Sequence, residues 1–146
     1  MVMIIMDENK ENNNSSKQKL LFVEDDKVTI DVVKRLLKDK YEVDSAFNGE
    51  DALEKAIEND YDAFLIDIGL PGKMDGIKTT KELKKIKDNK DKPYIAITAY
   101  AMQGDKEIFL SEGLTHYISK PFDFKNFSEI IETALEEKET VNGINT

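Results

Sequence analysis

Leu20-Leu21-Phe22-Val23-Glu24-Asp25-Asp26 is the stretch on which the reading of this chain turns. Four consecutive apolar residues leave no polar face, so they suit a strand covered on both sides. The run then stops abruptly in acids. Ala63-Phe64-Leu65-Ile66 repeats the arrangement and stops in Asp67. Tyr94-Ile95-Ala96-Ile97 is followed by Thr98, and Thr115 to Ser119 by Lys120. Tyr41 to Ala46 is a fifth β-like segment. Antiparallel strands with one wet face should alternate apolar and polar residues, and the core runs here do not.

Helical patterns separate these strands. Ile30, Val33 and Leu37 recur at helical spacing in a segment ending near Asp39. Glu50 to Glu58 groups Ala52, Leu53, Ala56 and Ile57 on one side. A loop with Pro71 and Gly72 leads into a helix carrying Ile77, Leu83 and Ile86. Gln103 to Ser111 is helical with Gly113 as its C-terminal cap, and Phe124, Phe127, Ile131 and Ala134 mark a last helix. Five strands alternating with five helices predict an α/β fold, a doubly wound five-stranded parallel sheet in order 2-1-3-4-5. Ligands of such sheets bind beyond the carboxyl ends of the strands, so the chemistry is sought there.

The chain's 146 residues suit one domain with a sizeable core. Residues 1–18 read as a disordered N-terminal arm, because Asp7 to Gln18 is polar, Asn-rich and aperiodic. Residues 19–138 form the domain, and 139–146 read as a flexible tail. A net charge of −9 disfavours nucleic acid and anionic membranes as partners. With no cysteine, disulfides, thiol catalysis and cysteine-held zinc are excluded. Met1 to Met6 is apolar but short and without a basic flank, and no run reaches the roughly 20 apolar residues of a spanning helix. The reading is a soluble, cytoplasmic protein.

In a 2-1-3 order the first and third strands are neighbours, so Glu24, Asp25 and Asp67 converge in one crevice. Like charges that close need a counter-ion, and hard carboxylate oxygens suit Mg²⁺. Thr98 adds a hydroxyl and Lys120 a mobile ammonium. Together they form a site for a phosphoryl group on a carboxylate nucleophile, neutralised by metal and lysine. Singly, each residue has a plainer role: an acid after a strand is most often a turn former or helix cap, Thr98 a strand-end filler, Lys120 a solvated lysine. Their joint placement and order carry the inference.

Leu21-Phe22-Val23-Glu24-Asp25-Asp26, Ile66-Asp67-Ile68-Gly69-Leu70-Pro71, Met74-Asp75-Gly76, Ile97-Thr98-Ala99 and Lys120-Pro121-Phe122 resemble the receiver domains of two-component response regulators. The resemblance covers roughly Lys19 to Glu137, and Ile97 to Phe122 looks especially like receivers attached to hybrid histidine kinases. It implies a flavodoxin-like fold in which Asp67 takes a phosphoryl group from a histidine kinase or histidine phosphotransfer protein. Asp25, Asp67 and the Gly69 backbone carbonyl would ligate Mg²⁺, with Glu24 acting through water. Thr98 would hydrogen-bond the phosphoryl oxygens and Lys120 would pair with them. Tyr117 would swing inward as Thr98 moves, changing a face made by the fourth helix, last strand and last helix that meets an unknown downstream protein. The resemblance also implies a cis Lys120–Pro121 bond and a monomer or weak dimer.

Asp26 reads as a helix cap. The loop after Asp67 holds both Gly72 and Lys73 where the commonest receivers have one residue. Gly69 and Tyr100 sit where the family tunes phosphoryl lifetime. His116, the only histidine, reads as a surface strand residue, and Phe122 and Phe124 as core or partner-facing aromatics. Two rival readings are an aspartate-nucleophile phosphohydrolase, which usually carries an acid where Gly69 stands, and a receiver-like binding module that never holds phosphate.

Overall fold

The computed structural model describes residues 17–99 and 105–145, the stretch 138–145 as backbone only. Its described residues form strands β1 (Gln18–Val23), β2 (Tyr41–Ala46), β3 (Ala63–Asp67), β4 (Tyr94–Thr98) and β5 (His116–Ser119). Between and after them run helices α1 (Lys27–Leu37), α2 (Gly49–Glu58), α3 (Gly76–Leu83), α4 (Asp105–Ser111) and α5 (Phe124–Asn145), with a short 3₁₀ turn at Asn89–Asp91. The sheet order is β2-β1-β3-β4-β5 and every pairing is parallel. Fold class and strand order are those read from the sequence.

Period-two alternation divides the strands between two apolar layers. Leu20, Phe22, Leu65, Ile95 and Ile97 meet Val33 and Leu37 of α1 and Phe127 and Ile131 of α5. Leu21, Val23, Phe64, Ile66 and Ala96 face the other way, toward Ala52 of α2, Leu83 of α3 and Phe109 of α4. Every residue of β3 and β4 is buried. Withdrawing such side chains from water stabilises by about 1.5–3 kcal/mol each, and Phe64→Ala would cost roughly 3–5 kcal/mol.

Asx side chains start four of the helices. Asp26 accepts from the Thr29 N–H (3.2 Å), Asn48 from Asp51 (2.8 Å), Asp75 from Lys78 (2.9 Å) and Asp123 from Asn126 (2.6 Å). Asp26 is thus the cap expected of it. Gly113 has φ +104° and closes α4 as anticipated.

Several boundaries differ from the sequence reading. β1 begins at Gln18, inside the 1–18 arm, while residues 1–16 lie outside the described residues. The third helix ends at Leu83; Ile86 follows in i→i+3 turns before Lys87 at φ 50°, yet still packs on the second layer. Gln103 is outside the described residues, and α4 is described from Asp105. Ile57 is 61% exposed, because the buried face of α2 runs through Gly49, Ala52 and Ala56. The last helix continues to Asn145 instead of stopping near residue 138, since Glu136-Glu137-Lys138-Glu139 has high helix propensity and no proline intervenes. Among the described residues no helix is long and apolar enough to cross a membrane.

Candidate functional site

The parallel ladders carry four strand ends to one edge of the sheet. Asp67 and Thr98 are themselves the last residues of β3 and β4, and Glu24 and Lys120 follow β1 and β5 directly. The Lys120 N–H donates to the Thr98 carbonyl (2.8 Å), which ties the β5 exit to the β4 end. The peptide bond after Lys120 is cis, as the resemblance implied.

Glu24, Asp67 and Thr98 are buried, at 1%, 7% and 2% exposure, whereas Asp25 is open to solvent. Carboxylate oxygens of Glu24, Asp25 and Asp67 all lie within 4.8 Å of one another. Lys120 Nζ reaches Glu24 Oε1 at 3.3 Å and Asp67 Oδ2 at 3.5 Å. The other oxygen of Asp67 accepts from the Gly69 N–H (3.0 Å), and Glu24 Oε2 accepts from the N–H groups of Asp25 (3.1 Å) and Asp26 (3.3 Å).

One ammonium therefore faces three carboxylates. Burial, reinforced by the hydrogen bond and repulsion from Asp67, pushes the Glu24 carboxyl up to about 7, against the opposing pull of Lys120. For Lys120, burial favours the neutral amine, but the Asp67 and Glu24 carboxylates together hold its pKa above the usual lysine value. The crevice holds more negative charge than its own cation neutralises. A hard divalent cation fits that donor set of carboxylate oxygens.

Two glycines at the site carry different constraints. A Cβ on Gly76 would lie 2.5 Å from the Asp67 carbonyl oxygen and 2.7 Å from Ile68 Cα, so α3 can start against the end of β3 only with glycine there. A Cβ on Gly69 would meet Asp67 Oδ1 at 3.6 Å, an ordinary contact. In the loop that follows β3, Gly72 has φ +96°. Gly49 was also missed in the sequence: its missing Cβ leaves room for Met74 and the Thr79 hydroxyl where α2 meets α3.

Away from the crevice, Tyr117 is half-buried against the second apolar layer, with Lys106 Nζ 5.6 Å from its ring centre. His116 is also half-buried, its Nδ1 2.9 Å from Thr115 Oγ1 and its Nε2 2.9 Å from Glu137 Oε2. Phe122 packs on Phe127 with ring centres 4.6 Å apart, while Phe124 is exposed. Tyr100 lies outside the described residues.

The family model of the response regulator receiver domain matches residues 20–132. The chain belongs to the response regulator receiver family. A polar-differentiation response regulator, DivK, of Brucella anthropi is 37% identical over 117 residues, covering 80% of this chain and 94% of its own. The hybrid signal transduction histidine kinase I of Dictyostelium discoideum is 36% identical over 126 residues. That match takes in 81% of this chain but only 7% of the kinase. The receiver domain of the sensor histidine kinase PA1611 from Pseudomonas aeruginosa superposes with a TM-score of 0.74 at 34% identity, covering 83% of this chain and 99% of that one. In that structure a magnesium ion is coordinated in the active-site cleft. The chemotaxis protein CheY4 of Vibrio cholerae gives a TM-score of 0.77 at 26% identity, with 82% and 99% covered. The chain is thus a phosphoacceptor receiver of two-component signalling.

Proposed function

We propose that Asp67 is the phosphoacceptor of this receiver. The observation that carries the assignment is the placement of Asp67: buried, at the carboxyl end of a central strand, with Lys120 at 3.5 Å and two further carboxylates beside it. A carboxylate oxygen of Asp67 attacks the phosphorus of a phosphohistidine on a histidine kinase or phosphotransfer protein. The O–P bond forms as the P–N bond breaks, and the imidazole leaves with a proton. The Gly69 N–H holds one Asp67 oxygen in place, which fixes the direction of the attacking one.

Lys120 moves from its two carboxylate partners to the incoming phosphoryl oxygens, and the Thr98 hydroxyl donates to another. Glu24, Asp25, Asp67 and the Gly69 carbonyl would hold Mg²⁺. Bound there, the ion would offset the surplus carboxylate charge and that of the phosphoryl oxygens. The transferred group brings charge and acceptor oxygens, so Thr98 is drawn toward Asp67. Tyr117 then closes into the space behind it, altering the surface of α4, β5 and α5 that a downstream protein reads.

The test is intact mass after incubation with a small phosphodonor and Mg²⁺. A metal-dependent gain of one phosphoryl group in the wild type, absent in Asp67→Asn, is the expected result. No gain, with Mg²⁺ binding verified, would overturn the assignment in favour of a binding module that never carries phosphate.

A further inference from the structure

The solvent face of α1 carries a row of aliphatic side chains. Val28, Val32 and Leu36 are 70%, 46% and 38% exposed and follow one another at i, i+4 spacing along the helix. Val28 and Val32 also line a groove of about 300 Å³ with Thr29, Lys120, Pro121 and Phe122. Single exposed apolar residues need no explanation, but a contiguous row marks an interaction surface. Beside the row stand Asp31 and Arg35, both exposed. They too are four residues apart, yet their side chains pair neither with each other nor with any other described residue. Lys34 and Lys38 turn away from this face, toward a hollow beside β2 that also holds Glu42.

Turned end for end about a two-fold axis, this face matches itself. Where two copies of one helix pack antiparallel, residues at equal distances on either side of a common midpoint face each other. The aliphatic row has its midpoint at Val32, so Val32 meets its own counterpart and Val28 meets Leu36 of the second copy. The two charges have theirs at Val33, one residue away, a rise of about 1.5 Å. Asp31 then stands opposite Arg35 of the second copy, and Arg35 opposite its Asp31. We propose that two copies of this chain pair through α1 in this antiparallel, two-fold manner. The charges fix what aliphatic contact alone leaves open, because a parallel pair sets Asp31 against Asp31 and Arg35 against Arg35. The contact is only as long as α1, whose 11 residues rise about 16 Å, so the pair is weak and concentration-dependent rather than permanent. Leu36 of the second copy covers Val28 at the edge of the groove that ends in Lys120 and Pro121, at the rim of the crevice. Pairing then competes with any protein that must reach Asp67, a consequence that, unlike the contact itself, rests on Asp67 being the phosphoacceptor.

Sedimentation equilibrium of the full chain tests the contact. The weight-average mass is expected to rise with concentration toward that of two chains, and Val32→Asp is expected to abolish the rise. Asp31→Arg and Arg35→Asp should each abolish it alone, by setting like charges across the axis. An equal mixture of these two single variants should restore the rise, because every facing pair is then opposite in sign. Neither a misfolded variant nor a one-sided contact can give that restoration. A mass that stays at one chain throughout would overturn the proposal, and so would a rise that survives Val32→Asp. Loss in both charge variants without restoration on mixing would overturn the two-fold arrangement.

Discussion

Two lysines are drawn out of solvent at opposite ends of the sheet, and they are handled differently. At the amino end of β4, Lys92 is 8% exposed, and its ammonium meets Asn89 Oδ1 at 2.9 Å and Asp88 Oδ1 at 3.3 Å. Both partners lie within four residues, and Tyr94 closes the same turn by donating to the Asn89 carbonyl (2.8 Å). At the carboxyl ends, Lys120 contacts Glu24, 96 residues away in sequence, and Asp67, with Asp25 adding a third carboxylate. The first lysine is matched locally and completes a turn. The second is outnumbered, and its carboxylates are held together only by the sheet. A buried charge that is matched stabilises the scaffold, whereas an under-matched cluster stores an electrostatic demand that a cation or phosphoryl group can meet.

The contrast can be broken most sharply by removing each ammonium. Lys120→Met should slow phosphorylation from a small donor by roughly 10²–10³-fold, the cost of losing one preorganised charge contact. Lys92→Met should leave that rate unchanged. Equal effects in a phosphorylation time course would erase the distinction between the two ends.

The surplus negative charge makes a prediction with an unusual sign. The Glu24 carboxyl sits at about 7 in the fold against an ordinary 4.5, so the unfolded chain gives up this proton first as pH rises. Its contribution to stability is therefore full below about pH 4.5 and is lost as pH rises through about 7. Without metal, Glu24→Gln should stabilise the protein at about pH 8 by roughly 1–3 kcal/mol and have little effect near pH 4. Urea titrations at both values check this, and a variant that destabilises equally at both would remove the electrostatic argument. Added Mg²⁺ should stabilise the wild type at the higher pH and progressively less as Glu24 takes up a proton.

At the amino end the expected effect is smaller and structural. Lys92→Met leaves the Asn89 amide oxygen without its donor and should cost about 1–2 kcal/mol at every pH in that range. Smallest of all, Ile57→Ser on the exposed side of α2 should shift stability by no more than about 0.5 kcal/mol.

Much of this was legible in the chain because the physics is local. A strand covered on both faces must be apolar throughout, so β1, β3 and β4 announced themselves, and the sheet order followed from alternation with helices. The crevice was legible for the same reason: Glu24, Asp25, Asp67, Thr98 and Lys120 each stand at a strand end, and the sheet brings those ends together. What escaped depends on packing between distant segments. Nothing local marks Gly76 as the residue that must approach the Asp67 carbonyl, since a glycine after Asp75 equally suits a plain helix start. Ile57 shares a helical side with Ala56 but falls beyond the edge of the sheet contact. The pairing of Lys120 with Glu24, and the resulting rise of the Glu24 carboxyl, required the relative placement of β1 and β5 rather than a pattern within either.

Asp67, and no other group in the acid cluster, is proposed to carry the phosphoryl bond. Borohydride reduction of the phosphorylated protein converts an aspartyl phosphate to homoserine, which peptide mass mapping can place. The expected result is homoserine at position 67 alone, with Asp25 and Asp26 unchanged. Reduction at either neighbour, or a stable phosphoryl group on His116, would contradict it.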